Sequence, residues 1–374
     1  MTKRILIFTT AFRPLIGGSE LALENIIRRL PNIFFDVITP RLVRGTKKTE
    51  AGENFLIHRV GPTGKLGKYL FPIFGWLKAR KLIRKNDISI IHAYQASYGG
   101  GAAWLTKIFN HKIKFILTLQ EGKNLAKQSW LVNFFRKLII RKADVVTAIS
   151  EYLKKYVYSV APRAKVTVIP NGVDFQKFHD TKKDELILEP LGIKGEDRII
   201  IHTGRLVKKN GLSDLIEAVG LVKKDLPRIK LLLVGGGILF PELKTRVEDL
   251  GLKNEVIFLG EIENDKLPIY LKAADVFVRP SLSEGLGNSF LEAMAVGIPV
   301  IGTPVGGITD FITDGETGLL CRPGDSPGLA AAILKVLSDR QLTELLIKKA
   351  QALVAEKYDW NAIARQFEKF YDAI

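Results

Sequence analysis

The chain has 374 residues, 47% of them hydrophobic and 9% aromatic, which allows two separately packed cores and excludes a disordered chain. Its one cysteine, Cys321, excludes an internal disulfide and points to a reducing cytosol, and no apolar run nears the roughly 18 residues needed to cross a bilayer. The net charge of +17 is lopsided: residues 1–172 hold 30 of the 56 basic and 9 of the 39 acidic residues, leaving 26 basic and 30 acidic residues beyond. The first half therefore invites an anionic partner, whether a membrane surface, an anionic substrate or nucleic acid.

In chain order, the opening residues run charged and then apolar, as a signal peptide would. The apolar run is too short and Arg13 interrupts it, so residues 5–9 read as a first buried strand. A loop with Pro14, Gly17 and Gly18 follows, and Ser19 is placed to cap a helix over 20–30. Further strands are expected at 34–39, 55–60, 88–92, 114–119, 145–149 and 166–169, with helical patterns between most of them, as in doubly wound α/β domains. The turn from Pro170 to Asp174 breaks this rhythm, and residues 175–197 read as a polar linker without a periodic apolar face. The pattern restarts at 198–202, with later strands at 230–234, 256–259, 276–279 and 300–302 and a last helix near 360–371. Two domains of similar architecture, 1–172 and 173–355, precede a terminal helical segment, 356–374.

The most informative stretch is residues 281–300. A Gly-Leu-Gly-Asn-Ser turn at 285–289 lies between Glu284 and Glu292, follows an apolar strand and opens a helix over 290–296. In an open parallel sheet, ligands bind at that place. Free amides at the helix start attract an anion, Gly285 and Gly287 let it approach, and each carboxylate can meet hydroxyls beside it. A diphosphate flanked by hydroxyl-rich groups fits; a plain strand-turn-helix with surface acids is the alternative. Gly17 and Gly18 permit close approach after the first strand. Arg205 and Lys209, after the first strand of the second domain, offer fixed positive charge to a leaving diphosphate without a metal. Gly235, Gly236 and Gly237 occupy another strand end, either as a ligand edge or as a plain loop.

Other chemistries find no support. Gly61-Pro-Thr-Gly-Lys65 has the wrong spacing for a phosphate-binding P-loop, and Leu66 stands where a hydroxyl is needed. The five histidines form no metal-ligand pair, no Asp-x-Asp follows a strand, and no Gly-x-Ser-x-Gly elbow supports a hydrolase. Two basic-aromatic stretches stand out. Residues 65–85 carry seven basic residues and no acid, with Tyr69, Phe71, Phe74 and Trp76 interleaved, and residues 130–142 repeat the character. Such helices can lie in a membrane interface or simply pack with charged outer faces. No nucleic-acid motif accompanies the charge.

With these residues in place, the chain resembles the retaining GT-B glycosyltransferases of family 4. The resemblance runs nearly end to end: Gly17-Gly18, the turn from Pro170 to Asp174, Gly204-Arg205-Leu206, the strand before Glu284, and Glu284 with seven residues before Glu292. Gly302 to Gly307 and Asp314 to Gly318 complete the ordered series. It implies an α/β fold of two Rossmann-like domains facing a central cleft. The first would hold the acceptor, the second the donor, and the last helix would cross back to the first. It also implies a hexosyltransferase moving sugar from a nucleotide-diphosphate sugar, UDP- or GDP-linked, with retention and without cofactor or metal. The expected acceptor is lipid-linked or an envelope glycan, at the cytoplasmic membrane face. By position, Glu292 would accept from ribose hydroxyls, Glu284 would meet the transferred sugar, and Leu286, Gly287, Asn288 and Ser289 would cradle the diphosphate. Gly18 would let its loop close over the phosphates, and Ile262 would lie at the nucleobase. In the front-face mechanism usually proposed, the leaving phosphate helps deprotonate the acceptor.

Two departures stand out. Asn210 occupies the place of a usual lysine, leaving Lys209 as the expected substitute, and Gln120 replaces a usual histidine near the transferred sugar. Gln120 keeps hydrogen bonding but cannot carry positive charge. An epimerase sharing the architecture, or a non-catalytic membrane-associated homologue, would be separated from a transferase by incubating sugar nucleotides without acceptor and by a nucleotide-sugar binding panel.

Overall fold

A computed structural model describes residues 3–15, 17–122, 128–184 and 186–374. It divides into two compact units, residues 1–171 with 360–374, and residues 172–359.

The first unit is built on β1 (Lys3–Phe8), α1 (Gly18–Arg29), β2 (Ile33–Pro40), β3 (Thr49–Ala51), β4 (Phe55–Val60), α2 (Lys65–Lys85), β5 (Ile90–Tyr94) and α3 (Tyr98–Phe109). It continues with β6 (Lys114–Leu119), α4 (Trp130–Lys142), β7 (Val145–Ala148), α5 (Glu151–Val160) and β8 (Val166–Val168). Its sheet has the order β3-β4-β2-β1-β5-β6-β7-β8 and is parallel except for the edge pair β3–β4. Parallel strands covered on both faces need apolar residues at successive positions. Ile5, Leu6, Ile7 and Phe8 are accordingly all fully buried.

The second unit contains α6 (Phe175–His179), β9 (Arg198–Thr203), α7 (Leu212–Asp225), β10 (Ile229–Val234), α8 (Phe240–Asp249), β11 (Val256–Gly260) and α9 (Leu267–Ala273). There follow β12 (Val276–Val278), α10 (Asn288–Val296), β13 (Val300–Gly302), β14 (Leu319–Leu320), α11 (Ser326–Ser338) and α12 (Arg340–Lys357). Its six strands, all parallel, run β11-β10-β9-β12-β13-β14.

The last helix, α13 (Trp360–Asp372), belongs to the first unit. Trp360, Ile363, Ala364, Phe367 and Tyr371 recur on one helical face and are buried in the core that also holds Ile5 and Ile7. Tyr371 places its hydroxyl 2.8 Å from Nδ1 of buried His92, and Lys3 binds the Tyr371 carbonyl.

Two expectations change. The supposed linker over 175–197 is part of the second unit's body: it starts with α6, and Phe178, Leu188 and Ile193 are buried. Three anchors spaced this widely leave no periodic stripe to read. Ser19 is not the cap of α1. Gly17 holds that position, and its amide donates to the Glu20 carboxylate at 3.0 Å, while Ser19 lies inside the helix.

Candidate active site

In a parallel sheet, loops after the strands gather at the carboxyl edge. In the second unit this edge brings two loops, after β9 and after β12, around one guanidinium. Arg279, directly after β12, is 8% exposed and donates to four side chains. Nη2 reaches Glu284 Oε2 at 2.6 Å and Asn210 Oδ1 at 3.0 Å. Nη1 reaches Ser289 Oγ at 2.6 Å, and Nε reaches Ser281 Oγ at 3.3 Å. Backbone contacts fix the loops. Leu282 donates to the Lys209 carbonyl at 2.7 Å, and Gly306, at φ 60°, lies so close to the Glu284 carbonyl that a Cβ would come within 1.7 Å of it. Only glycine fits there, which explains part of the 302–307 motif. Gly235 and Gly237 likewise press against the backbone of Gly204 and Leu206, so the triple glycine serves loop packing.

Glu284 is 8% exposed. Lys209 Nζ is 3.1 Å from each of its oxygens, and the Gly285 amide reaches Oε1 at 3.0 Å. Burial alone would raise the Glu284 carboxyl, but Arg279 and Lys209 hold it below the usual carboxylate range. Burial and the neighbouring Arg279 lower the Lys209 ammonium, while Glu284 acts in the opposite sense. Asn210 shows why an amide suits its position. Its Nδ2 donates to the Arg205 carbonyl at 2.6 Å while Oδ1 accepts from Arg279, and a lysine ammonium accepts nothing.

Above this paired cluster lie groups without partners. Gly287 opens α10 in the left-handed region, at φ 104°, and the amides of Leu286, Gly287, Asn288 and Ser289 have no acceptor among the described residues. Glu292, one turn into the same helix, is half-buried and forms no hydrogen bond or ion pair with a described residue; burial pushes its carboxyl up to about 7. The Arg205 side chain is exposed and unpaired among the described residues. Ile262, half-buried, follows β11. Together they offer an anion-binding helix start, an exposed cation and a carboxylate awaiting donors.

In the first unit, the same edge carries neutral groups. Asn171 donates to Gln120 Oε1 at 3.2 Å, after β6. Beside it, Glu121 accepts from the amides of Ala96 at 2.8 Å and Gln120 at 2.9 Å; burial raises its carboxyl, while the amides and Arg136 pull it down. Gln95 has φ 70°, alone among the described non-glycine residues, and donates to Ser19 Oγ at 3.2 Å. Gly17 and Gly18 begin the adjoining helix. Burial lowers His92 to about 3, so it stays neutral, with Thr118 as its other partner at 2.6 Å.

The second unit thus gathers Arg205, Lys209, Asn210, Glu284, Ser289 and Glu292, while Gly17, Gly18 and Gln120 stand in the first. Sequence reasoning missed Arg279, Glu121 and Gln95. Arg279 had one signal, a basic residue ending an apolar strand just before the anion turn. Among the described residues no group of three His, Cys, Asp or Glu side chains is arranged to hold a metal.

The family model "Glycosyltransferase Family 4" matches residues 16–177, and "Glycosyl transferases group 1" matches residues 183–353. The N-acetyl-alpha-D-glucosaminyl L-malate synthase of Bacillus anthracis is 30% identical over 298 residues, 79% of this chain and 77% of that protein. A GDP-mannose-dependent alpha-(1-6)-phosphatidylinositol monomannoside mannosyltransferase of Mycobacterium tuberculosis is 29% identical over 316 residues, 79% of this chain and 78% of its own. Among solved structures, sucrose-phosphate synthase from Thermosynechococcus elongatus superposes with a TM-score of 0.86 at 23% identity, covering 99% of this chain and 98% of its own. Anabaena HepE in complex with UDP and glucose gives 0.83 at 23% identity, with all of both chains covered. Both share the two-domain fold.

Proposed function

This chain belongs to the glycosyl transferases of group 1 and family 4, and from that premise we propose a retaining, metal-independent transfer onto a lipid-linked or envelope-glycan acceptor at the cytoplasmic membrane face. Its coarser class is plain: a hexosyl-transferring glycosyltransferase of the GT-B type that uses a nucleotide-sugar donor.

The observation that supports the reading is the start of α10, where four amides and Glu292 have no partner among the described residues, in the segment whose Glu284 and Ser289 side chains bind Arg279. The amides of Leu286 to Ser289 and the Arg205 guanidinium take the donor diphosphate. Glu292 takes the ribose hydroxyls, and Ile262 packs on the nucleobase, UDP- or GDP-type. The Glu284 oxygens already receive four contacts from Arg279, Lys209 and Gly285, which fills a carboxylate's acceptor capacity. A sugar hydroxyl therefore reaches Glu284 by replacing Lys209, and the freed ammonium turns to the phosphate. In the transfer itself the anomeric carbon–phosphate oxygen bond breaks on the face where the acceptor oxygen bonds. The acceptor proton passes to the departing phosphate oxygen, and the lysine and guanidinium stabilise the charge that develops there. Fixed cations do the work a divalent ion does elsewhere, so a chelator leaves the rate unchanged.

In the first unit, Gln120 and its neighbours are assigned to the acceptor, and the Gly17-Gly18 amides to a phosphate or sugar. The mannosyltransferase relative named for a phosphatidylinositol acceptor supports a lipid-linked acceptor, as does the basic excess of residues 1–172. No helix among the described residues is long and apolar enough to cross a membrane, so association with the bilayer is peripheral in this reading.

The test is a thermal-shift panel of UDP, GDP, ADP and their sugars on the wild type and Glu292→Ala. The wild type should be stabilised by one nucleotide series, and the variant should lose the shift while keeping its own melting temperature within a few degrees. Undiminished binding by the variant removes Glu292 from the site. Nucleoside diphosphate should then be released only with donor and acceptor together, and conversion of the sugar nucleotide without acceptor would contradict transfer.

A further inference from the structure

The first unit leaves two apolar helix faces uncovered. On α2, the core stripe is Gly67, Phe71, Gly75, Ala79 and Leu82, which packs against α3 so closely that a Cβ on Gly75 would stand 2.9 Å from that of Ala102. A second stripe, Leu66, Tyr69, Ile73 and Leu77, lies on the other side and is exposed, Tyr69 by 62%. These positions repeat at helical spacing, so the residues form one continuous face. On α4 only Arg136, Ile139 and Ile140 are buried. Its first turns expose Trp130 by 77%, with Leu131, Phe134 and Phe135 beside it.

The two faces belong together. The connections through α2, α3 and α4 all advance in the same direction across the sheet, so right-handed crossovers put these helices on one side of it, with α3 between the other two. Each follows a strand parallel to β1, so all three begin at the carboxyl edge, where Gly17, Gly18 and Gln120 lie. In both outer helices exposed basic residues accompany the apolar ones, Lys65 and Lys68 in the first turn of α2 with Arg80, Lys81 and Arg84 toward its end, and Lys137 and Arg141 late in α4. The loop after β2 joins this edge through the Gly64 amide on the Arg41 carbonyl at 3.0 Å, and it adds exposed Arg44, Lys47 and Lys48.

We propose that the outer faces of α2 and α4, with the basic loop after β2, form one docking surface for an anionic lipid bilayer, which it brings to the carboxyl edge of the first-unit sheet. Apolar side chains enter the headgroup boundary while lysines and arginines meet lipid phosphate. A second copy of the chain is a poorer occupant, because pairing this surface with itself sets like charges against each other. The proposal rests on the lipid-linked acceptor reading and sharpens it, since the lipid-borne substrate then arrives beside Gln120.

The experiment is co-sedimentation of the full chain with phosphatidylcholine vesicles, with and without about one-third phosphatidylglycerol, at low and high salt. The wild type should pellet with the anionic vesicles at low salt and be released as salt screens the charge. Trp130→Ser/Phe134→Ser and Tyr69→Ser/Ile73→Ser should each bind at least about tenfold more weakly while keeping the wild-type melting temperature. A wild type that stays in solution at low salt, or variants that pellet like it, would overturn the proposal. So would concentration-dependent dimers, seen by light scattering, that these substitutions abolish. The nucleotide-sugar thermal shift on the same samples separates the two readings. Lost vesicle binding with an intact shift sinks only the docking surface, whereas a missing shift in the wild type sinks the donor site.

Discussion

The two units present the same edge of the same kind of sheet, yet they arm it differently. The second unit places charge there: Arg205, Arg279, Lys209, Glu284 and Glu292, partly locked in a network and partly open. The first places amides and hydroxyls there, Gln95, Ser19, Gln120 and Asn171, and binds the carboxylates of Glu20 and Glu121 with backbone N–H groups. A diphosphate leaving group needs fixed charge, and a sugar hydroxyl needs neutral hydrogen-bonding partners that do not compete for its proton. The proposed division into a donor half and an acceptor half rests on this contrast.

The largest effect should come from breaking the charged side. Arg279→Ala leaves Glu284 buried with Lys209 as its only cation. It should lower unfolding stability by about 3 kcal/mol and the transfer rate by at least about 100-fold, read by thermal unfolding and nucleotide release. Arg279→Lys restores the charge but not the four-way fork, and it should recover stability more than rate.

Next is pH. In the proposed role, donor hydroxyls bond to ionised Glu292, whose free carboxyl sits at about 7, so donor affinity should rise as pH climbs through 7, by up to about tenfold per unit below it. The group's effect on folding has the opposite sign. Its folded pKa exceeds the unfolded value of 4.5, so its stabilising contribution is full below that value and is lost as pH rises through about 7. Glu292→Gln should flatten both profiles in isothermal titration and thermal scans. A profile unchanged by the substitution would assign the titration to another group.

The neutral side should give the smallest effects. Gln120→Ala and Glu121→Gln should raise the acceptor KM about fivefold each, the worth of roughly one net hydrogen bond, with donor affinity unchanged. Equal losses in donor binding would erase the distinction between the two edges.

Much of this was legible in the chain. Buried parallel strands read as short apolar runs because both faces are covered, so their positions differ from expectation by only one or two residues. The edge strand β3, Thr-Glu-Ala, is too short and polar to signal itself. In the site, the glycine turn and its flanking glutamates announced themselves by spacing. Arg279 did not, because its role depends on two loops converging, with partners from 69 residues before it to 10 after. The identity of Asn210 was misleading in the same way: it stands out as a missing lysine until its two hydrogen bonds show it locking Arg205 to Arg279.

The return of α13 to the first unit has a consequence for the order of assembly. The core around Ile5, Ile7 and Phe35 includes Trp360, Phe367 and Tyr371, so the first unit cannot close until residues 360–371 have left the ribosome. The second unit, whose strands and helices are contiguous in the chain, has all its parts beforehand. The nascent chain therefore has all of the second unit available before the first unit can complete its core.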